Sequence, residues 1–457
     1  MNTYSLDDTI AAIATPLGQG GIGIVRLSGP EAVPIGRRLF RPARAARHWP
    51  KPYRLYYGHI YDPQTGRVVD EVLLSFMKAP RSYTRQDVLE INAHGGPVAL
   101  REILRLCLEA GARPAREGEF TLRAFLNGRL DLAQAEAVLD IVRAKTEAAL
   151  RVAVGQLSGR LSQAVRTVRQ NLLSTLAYLQ ATVDFPEEDI LPQDISPPLA
   201  DAAARLEALL EEAGRGIVYR QGVRTAIVGR PNVGKSSLLN AFLRQERAIV
   251  TPIPGTTRDT IEEMADLQGI PLILVDTAGL TDTQDLVERL GVERSRRAIE
   301  QADLVLLVVD GSVPLVEEDY QVAALAASRP AVVVVNKCDL PRVTAAEEIL
   351  PQAPHVTLSA LTGQGLPELE ALLVDLILSG QVAIADAPRA SNPRHRDLLQ
   401  RALRHVQEAR QALLDGLPDD LISIDVSEAI EALGEITGET ATEDLLETIF
   451  SQFCIGK

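Results

Sequence analysis

The sequence predicts a multidomain protein in which an α/β nucleotide-binding module interrupts a helical domain that follows an N-terminal α+β domain. Three observations lead to this prediction. Residues 229–237 read GRPNVGKSS and match the phosphate-binding pattern G-x-x-x-x-G-K-[ST] between a strand-like and a helix-like run. The period of the apolar residues changes from strand-like to helical near residue 120. The helical period returns after residue 390, beyond a stretch in which strands and helices alternate.

Length and composition exclude several classes of protein. The chain has 457 residues, 46% of them hydrophobic, which suits about three globular domains. A net charge of −14 argues against holding nucleic acid by bulk charge alone, although a local basic patch stays compatible. Cys107, Cys338 and Cys454 are far apart and lack metal-ligand spacing. The longest aliphatic runs, 304–309 and 331–335, have only strand length, so we expect a cytoplasmic protein without a membrane span.

Residues 1–119 are predicted to form the α+β domain. Strands are expected over 9–15, 23–27, 72–77 and 88–93, and a helix over 97–110. Gly18, Gly20 and Gly23 spell the dinucleotide-binding pattern G-x-G-x-x-G. That pattern must open a helix, whereas here it opens the strand-like Ile24–Leu27. We therefore interpret the three glycines as part of a structural turn.

Helical patterns flank the module on both sides. Before it, one helix is predicted over 131–152, another along the apolar series from Leu157 to Val183, and a third over 198–214. After it, one apolar face runs from Leu399 to Leu413 and another from Leu445 to Phe453. The last helix is expected to begin after Thr442, an N-cap residue followed by two acidic residues.

The α/β module is predicted over 217–380. Its strands are expected at 223–228, 271–275, 304–309, 331–335 and 355–358, the pattern of a doubly wound sheet that binds ligand at the carboxyl ends of its strands. Joints rich in glycine and proline, at 214–222 and 379–393, border the module. We predict that the helices on its two sides pack on each other, as an inserted module requires. The helical domain would then consist of residues 120–216 and 381–457.

The module carries the phosphate-binding residues of a guanine-nucleotide site. The loop glycines let backbone N–H groups converge on phosphate oxygens, Lys235 supplies a cation, and Ser236 places a hydroxyl on Mg²⁺. Thr257, in the segment Gly-Thr-Thr-Arg-Asp, can reach the metal and the terminal phosphate. Asp276 opens an Asp-Thr-Ala-Gly motif after a hydrophobic strand and is expected near the metal's water shell.

A second group of residues selects the base. Asp339 can accept hydrogen bonds from guanine N1–H and the 2-amino group, a donor pair that adenine lacks. The residues predicted to contact GTP are Asn232, Val233, Gly234, Lys235, Ser236, Ser237, Thr251, Pro252, Ile253, Pro254, Gly255, Thr256, Thr257, Asp276, Thr277, Ala278, Gly279, Asn336, Lys337, Asp339, Ser359 and Ala360. The segments at 255–259, 276–279, 336–339 and 359–360 follow the phosphate loop in order, each near a strand end. Four such motifs in this order are typical of a GTP-binding protein.

The hydrolytic residue departs from the Ras pattern. Leu280 stands where Ras-like proteins carry the glutamine that orients the attacking water. Asp282, Asp285 and Glu288 are candidates for that role, and the alternative for each is a solvated loop carboxylate. No arginine finger is identifiable, so a monovalent cation beside Asn232 is a candidate substitute for its charge.

Several further segments follow a family-specific pattern, among them DTIAAIATPLGQGGIGIVRLSG, SYTRQDVLEINAHGG, RAFLNGRLDLAQAEAV, VERLGVERS and the terminal FCIGK. With the GTPase motifs, they make the chain resemble the MnmE (TrmE) family of tRNA-modification GTPases from end to end. The resemblance implies a tetrahydrofolate-binding N-terminal domain that dimerises, a helical domain built from both flanks, and an inserted Ras-like G domain.

The resemblance also implies an activity and partners. Members hydrolyse GTP with Mg²⁺ and K⁺ and assemble as homodimers with MnmG (GidA), a flavoprotein that carries FAD, into a hetero-oligomer. Together they add an aminomethyl-type (carboxymethylaminomethyl) group to C5 of the wobble uridine of certain tRNAs. The one-carbon unit is implied to come from methylene-tetrahydrofolate, and the bound folate to be that compound or 5-formyl-tetrahydrofolate.

Carried over position by position, the resemblance assigns roles to residues of this chain. Glu288 matches the catalytic glutamate, and Ser236 and Thr257 match the Mg²⁺ ligands. The K⁺ ligands implied are Asn232, Thr251, Ile253 and Thr256. The folate-binding residues implied are Arg26, Glu90, Arg129 and Lys457, although some relatives have lysine where Arg129 stands. Cys454 lies in the family tail as a candidate nucleophile, but free cysteines near chain ends are more often inert.

Two other classes of function stay open at this point. One is a ribosome-assembly or translation GTPase, which tetrahydrofolate binding would distinguish from the modification enzyme. The other is a folate-dependent one-carbon transferase whose G domain is only regulatory, which should keep substantial activity when GTP hydrolysis is abolished.

Overall fold

We describe the protein from a computed structural model, which covers residues 6–44, 50–185, 191–245, 263–275, 295–344, 348–379 and 391–457. The fold is multidomain, with two separate β-sheets and a large helical domain. Within the covered ranges, no helix is both long enough and apolar enough to cross a lipid bilayer.

The N-terminal domain is an α+β domain built on a seven-stranded sheet in the order β3-β4-β5-β6-β2-β1-β7. Its strands are β1 Ile10–Ile13, β2 Gly20–Ser28, β3 Phe40–Pro42, β4 Leu55–Tyr61, β5 Val68–Met77, β6 Val88–Gly95 and β7 Arg113–Pro114. The helices α1 Ala32–Leu39 and α2 Pro97–Glu109 pack on it. Along β5, Val72, Leu74 and Phe76 are buried while Leu73 is 43% exposed, because successive side chains of a strand point to opposite faces.

Of the three glycines expected in a structural turn, only Gly18 lies in it, because Gly20 and Gly23 belong to strand β2. Gly20 begins strand β2 and no helix follows it, so the dinucleotide-binding pattern lacks its structural context. A Cβ atom on Gly23 would lie 2.4 Å from Leu100 Cδ1. The absence of a side chain at Gly23 therefore lets helix α2 pack closely against β2.

The helical domain draws on both sides of the chain. Its helices are α3 Glu119–Leu126, α4 Leu132–Arg143, α5 Glu147–Leu157, α6 Arg160–Asp184, α7 Ser196–Gln221, α11 Ser391–Leu414, α12 Asp419–Thr437 and α13 Glu443–Phe450. One hydrophobic core contains Val165 and Leu172 of α6, Leu199 of α7, Leu399 of α11 and Val426 of α12. The prediction that the flanks of the module pack on each other is therefore confirmed.

Two of the predicted helices in this region are interrupted in the structure. The helix expected over 131–152 is interrupted, because Ala144, with φ −56° and ψ 128°, leaves the helical conformation and the Thr146 hydroxyl caps α5 by accepting from Ala149 N. The apolar series from Leu157 likewise crosses a break, since Gly159 has φ 85° between α5 and α6. Both breaks preserve the apolar spacing, which is why the pattern alone did not show them.

Two further helices, α7 and α12, differ from prediction. The joint expected at 214–222 is mostly helical, since α7 continues to Gln221 and ends at Gly222 with φ 74°. Helix α12 was not predicted, although Ile422, Val426 and Leu433 are fully buried along it. The packing of α12 against both α6 and α11 outweighs local signals there. Helix α13 begins after Thr442, whose hydroxyl accepts from Leu445 N, as predicted.

The module is a six-stranded sheet in the order β13-β12-β11-β8-β10-β9. Its elements are β8 Val223–Val228, α8 Lys235–Gln245, β9 Glu263–Leu267, β10 Ile270–Val275, β11 Leu304–Asp310, α9 Glu317–Ala326, β12 Ala331–Asn336, β13 His355–Thr357 and α10 Leu366–Leu378. Strand pairs are parallel except β9 with β10. Apolar clusters cover both faces of the sheet, as in a doubly wound α/β domain.

The five strands predicted for the module are present, with ends that differ by at most one residue. Strand β9 was not predicted. It forms a hairpin with β10 through Gln268 and Gly269, whose φ values of 51° and 95° match a two-residue turn with left-handed backbone at both positions. The hairpin places the antiparallel strand at the sheet edge, away from the parallel centre that carries the phosphate loop.

Candidate functional sites

The phosphate loop connects the carboxyl end of β8 to the first turn of α8. Gly229 has φ 147° and Gly234 has φ 99°, and Cβ atoms there would lie 2.3 Å from Val308 O and 2.1 Å from Asn336 Nδ2. Both positions therefore require glycine. Lys235 Nζ donates to Gly229 O and Arg230 O at 2.8 Å each, so the ammonium group lies over the curled loop. Burial lowers the pKa of Lys235.

Asn336 connects the phosphate loop to the loop that contains Ser359 and Ala360. Its Nδ2 donates to Val233 O at 2.8 Å, and its Oδ1 accepts from Ala360 N at 2.9 Å. The side chain is 3% exposed, so both of its hydrogen-bonding ends are satisfied within the protein. The sequence predicted Asn336 as a nucleotide contact, and the structure shows that it joins three of the predicted segments.

Lys337, which follows Asn336 at the end of β12, is anchored to the neighbouring strand β11. Lys337 Nζ donates to Asp310 Oδ2 at 2.6 Å, and Lys337 has φ 67°. Burial opposes ionisation of Asp310, but hydrogen bonds from Lys337 and Ser312 outweigh it and hold its pKa below the usual value. This pair draws the Lys337 stem across the carboxyl ends of β11 and β12. Asp310 was not singled out from the sequence.

Asp339 is exposed at the carboxyl end of β12, where its carboxylate is accessible to a base. Ser359 is buried in the facing loop, and its Oγ accepts from Thr362 N at 3.2 Å. Asn232, with φ 64°, and Ser237 are exposed in the phosphate loop and the start of α8. These residues lie along the carboxyl-end edge of the sheet, where α/β domains bind ligands.

Other predicted positions of the nucleotide site lie outside the described residues. They are Thr251, Pro252, Ile253, Pro254, Gly255, Thr256, Thr257, Asp276, Thr277, Ala278, Gly279 and Glu288, together with Leu280, Asp282 and Asp285.

A second cluster of predicted residues lies on the N-terminal sheet. Arg26 of β2 and Glu90 of β6 are direct cross-strand partners, and Arg26 Nε lies 2.8 Å from Glu90 Oε1. The Arg26 guanidinium also donates to Gly456 O at 3.2 Å and lies 5.9 Å from the Tyr83 ring centroid and 5.6 Å from that of Phe120. Arg26 therefore joins two strands, an aromatic pair and the C-terminal tail.

Arg129 reaches the same cluster through Tyr83. Its guanidinium lies 4.7 Å from the Tyr83 ring centroid, and its NH1 donates to Tyr83 O at 2.8 Å. The Tyr83 hydroxyl hydrogen-bonds to Thr121 Oγ1 at 2.9 Å, and burial raises the pKa of Tyr83. Sequence reasoning missed Tyr83, although it stands within the family-like segment SYTRQDVLEINAHGG.

The C-terminal tail is fixed against the N-terminal domain. Phe120 N donates to Lys457 O at 3.1 Å, and Ile455 forms an antiparallel bridge with Glu117. Gly456 has φ 97°, and a Cβ atom there would lie 2.4 Å from Ile13 O. The tail thereby places the Gly456 carbonyl against Arg26 with Lys457 as the next residue, while Cys454 is exposed in the same turn. Arg26, Glu90, Arg129 and the tail thus gather in one place, called here the terminus site.

Comparison with known proteins matches almost the whole chain. A family model described as "GTP-binding protein TrmE N-terminus" matches residues 9–129, and one described as "MnmE helical domain" matches residues 132–454. A protein named "tRNA modification GTPase MnmE" from Roseiflexus sp. (strain RS-1) is 53% identical over 99% of both chains. Its namesake from Chloroflexus aurantiacus is 52% identical over 99% of this chain and 100% of its own.

Part of the chain is similar to a solved structure. The FeoB G domain from Methanococcus jannaschii is 22% identical, and the match covers 34% of this chain and 98% of that one. Its TM-score is 0.25, which is too low to establish a shared fold.

Proposed function

The chain belongs to the MnmE family of tRNA modification GTPases, and from this premise we propose that it is a K⁺-dependent GTP hydrolase that acts with the flavoprotein MnmG. In this proposal the pair adds a carboxymethylaminomethyl-type group to C5 of the wobble uridine of certain tRNAs in the cytoplasm. MnmG carries FAD, and a tetrahydrofolate derivative supplies the one-carbon unit. The observation that carries the proposal is the coexistence of a braced phosphate loop and a separate terminus site in one chain.

At the nucleotide site, GTP would lie along the edge that Asn336 braces. Lys235 would exchange its two carbonyl partners for phosphate oxygens, and Asp339 would accept from the guanine N–H donors. Ser236 and Thr257 would hold Mg²⁺, and Glu288 would orient the attacking water. The K⁺ ligands would be Asn232, Thr251, Ile253 and Thr256, because an oxygen cage can replace the hydration shell of K⁺.

The Asn232 backbone supports a role in cation binding. Its left-handed φ of 64° is uncommon for a residue other than glycine, and its side chain is exposed beside the phosphate loop. An amide oxygen at this place can add a ligand to a cation next to the phosphates without adding charge. The cation would then supply the positive charge that arginine fingers supply elsewhere.

At the terminus site, the chemistry of the residues suits a folate. A pterin ring presents an amino group and a ring N–H as neighbouring donors, which a carboxylate such as Glu90 can accept. Arg26, Arg129 and Lys457 provide positive charge for the carboxylates of a glutamate tail. We propose these four residues as the folate-binding set, with Tyr83 and the Gly456 backbone positioning them.

We also propose the domain division 1–119, 120–216, 217–380 and 381–457, with the second and last parts forming one helical domain. The shared core of α6, α7, α11 and α12 supports this division. A homodimer through the N-terminal domain is supported by the outer face of its sheet, where Leu55 is 65%, Tyr57 50% and Leu73 43% exposed.

The proposal is tested by GTP turnover in KCl and NaCl at matched ionic strength. We expect much faster turnover in K⁺, because Na⁺ is smaller and fits the oxygen cage poorly. Asn232→Ala should remove most of the K⁺ stimulation while sparing nucleotide affinity. Asn240→Ala, which changes an exposed asparagine on α8, is the matched control and should behave like the parent. Equal rates in the two salts would contradict the K⁺ site.

The pathway is tested separately from the cation. Mass spectrometry of wobble uridines from cells lacking this protein should show loss of the modification. Direct binding of 5-formyl-tetrahydrofolate distinguishes this function from that of a ribosome-assembly GTPase. A GTPase-dead variant that keeps substantial modification would instead indicate a transferase with a regulatory G domain.

A further inference from the structure

Charge is distributed unevenly along the chain. Residues 1–119 contain 16 lysines and arginines against 12 aspartates and glutamates, whereas the rest of the chain contains 31 against 49. The N-terminal domain is therefore positively charged within a strongly acidic protein. A local positive field of this kind attracts polyanions even when the whole molecule does not.

Part of this positive charge gathers at one end of the N-terminal sheet. Five exposed cations, called here the basic rim, lie before β4 and in the turn between β5 and β6. They are Lys51, Arg54, Lys78, Arg81 and Arg85. The Tyr53 hydroxyl joins the two segments, since it hydrogen-bonds to Lys78 O at 3.2 Å and to Arg81 O at 2.9 Å.

In the part of the chain that the structure describes, the cations of the basic rim lack acidic partners. Among the residues that the structure describes, no carboxylate oxygen forms an ion pair within 4.0 Å of any of the five. Elsewhere in the same domain Arg105 pairs with two glutamates, and Arg113 with Asp8 and Glu119. The nearby Asp87 carboxylate accepts from Ala79 N. Like charges held together without counter-charges repel one another, and a polyanion would relieve that repulsion.

The backbone of the basic rim is unusual at two positions. Tyr53 has φ 60° and Arg85 has φ 59°, a left-handed conformation that costs energy for residues other than glycine. Hydrogen bonds hold both in place, from Tyr53 N to Phe76 O at 2.7 Å and from Arg85 NH1 to Asn127 O at 2.9 Å. In this conformation Tyr53 is 55% exposed, and it lies among the cations. An exposed aromatic ring among cations suits a nucleobase and its phosphates.

The basic rim is continuous with the terminus site. Tyr83 belongs to the same turn as Arg81 and Arg85, and its ring and carbonyl contact Arg129. From these observations we infer that the basic rim binds the phosphate backbone of the tRNA and holds the RNA beside the terminus site. The inference deepens the proposed function, on which it rests for the identity of the RNA and for the role of the terminus site.

The test is tRNA binding by the full chain without its flavoprotein partner. The probe is an unmodified, fluorescently labelled tRNA transcript, titrated at several KCl concentrations. The variant replaces Lys51, Arg54, Lys78 and Arg81 by glutamine and keeps Arg85, whose side chain holds the turn. We expect tRNA binding to be at least about tenfold weaker. The slope of log Kd against log salt concentration should be smaller by about three to four, since each phosphate contact contributes nearly one to that slope.

The control variant removes the same number of charges from exposed sites outside the basic rim. It replaces Arg105, Arg205, Arg404 and Arg410 by glutamine. This control should retain most of the affinity and salt slope. GTP turnover and 5-formyl-tetrahydrofolate affinity of the rim variant should match the parent, which verifies that it is folded.

Five outcomes would overturn the inference. Unchanged tRNA affinity and salt slope in the rim variant would show that RNA binds elsewhere, and equal losses in the control would show an effect of net charge alone. Weaker binding of polyglutamylated folate with unchanged tRNA binding would assign the rim to the folate tail. Loss of the dimer in size-exclusion chromatography would assign it to a second copy. A parent chain that binds no tRNA, yet supports modification with MnmG, would overturn the inference and leave the proposed function intact.

Discussion

The nucleotide site and the terminus site are built in opposite ways. The phosphate loop is contained in a few consecutive residues between β8 and α8, and its lysine bonds carbonyls five and six residues before it. At the terminus site, the bond from Arg26 to Gly456 O joins residues 430 positions apart. A site of the first kind can be recognised from a short motif. A site of the second kind depends on strand register and on where the chain end docks.

This difference has a physical cause. Backbone N–H groups bind phosphate, so the phosphate loop needs mainly a particular backbone conformation, which Gly229 and Gly234 permit locally. The terminus site instead relies on side chains, which meet only because β2 pairs with β6 in one register. A shift of that register by one residue would place Arg26 and Glu90 on opposite faces. We therefore expect the two sites to respond differently to mutation.

The largest expected effect concerns catalysis at the nucleotide site. Glu288→Ala should leave GTP affinity near that of the parent and lower turnover by about two orders of magnitude or more, because a water-orienting group is lost. Steady-state GTP hydrolysis and nucleotide binding measure the two quantities. Asp282→Ala and Asp285→Ala are the matched controls, and unimpaired Glu288→Ala turnover would return the role to one of them.

A smaller effect is expected on base selection. Asp339→Asn should weaken GTP binding by about tenfold to a hundredfold and favour xanthosine triphosphate, because an amide can donate to the xanthine 2-oxo group. Competition binding with the two nucleotides measures the preference. Tight GTP binding that is unchanged in the variant would show that Asp339 does not contact the base. Folate affinity should be the same in parent and variant, since the two sites are separate.

The terminus site should be sensitive to one methyl group. Gly456→Ala adds a Cβ atom that would lie 2.4 Å from Ile13 O at a left-handed backbone position, so the tail should leave its place beside Arg26. We expect roughly tenfold weaker binding of 5-formyl-tetrahydrofolate with unchanged GTP turnover, the loss of about one well-formed charged hydrogen bond. Calorimetric titration measures the folate affinity.

The control for this variant is Gly416→Ala. Gly416 also has a left-handed backbone, with φ 67°, but an added Cβ meets no atom within 4 Å. It should therefore reproduce the backbone strain without displacing the tail. Equal losses of folate affinity in both variants would show that strain, not the position of the tail, is responsible.

The smallest expected effect lies where α7 leads into the module. Asp140 of α4 forms an ion pair with Arg220 near the end of α7. Glu136 lies one helical turn before Asp140 and contacts Arg394 at 2.8 Å and His395 at 2.6 Å. Burial raises the pKa of Asp140 to about 7, and the ion pair with Arg220 opposes that rise while repulsion from Glu136 adds to it. This cluster joins helices from both flanks of the module.

The sign of the pH dependence follows from the raised pKa. Between about pH 4 and 7 the folded chain keeps a proton on Asp140 that the unfolded chain has lost, so stability falls as pH rises through this window. Asp140→Asn should remove that dependence. From pH 4 to pH 7, the free energy of unfolding of the variant should rise by about 1–2 kcal/mol relative to that of the parent. This is less than the upper limit of roughly 4 kcal/mol that a pKa shift of about three would give. Urea denaturation at several pH values measures it, and parallel curves for parent and variant would contradict the prediction.

The sequence predicted most strands and many helices, but it was wrong or silent where tertiary contacts decide. The breaks at Ala144 and Gly159 are invisible to apolar spacing, since the periodicity continues across them. Helix α7 continues through glycines that usually end helices, and α12 exists because its apolar face packs between α6 and α11. At the nucleotide site, the brace at Asn336 and its neighbour Asp310 were beyond the reach of the motif.

The sequence by itself determined the phosphate loop, the guanine motifs, the positions of five of the module's strands and the family resemblance. These features depend on local backbone preferences and on short-range spacing, both of which can be read from consecutive residues. Only the tertiary structure decided that Tyr83 and the Gly456 backbone hold Arg26 and Arg129 together, and that exposed cations around Tyr53 gather at one sheet end. Side chains distant in sequence become neighbours only through strand register and core packing, and no local signal encodes either.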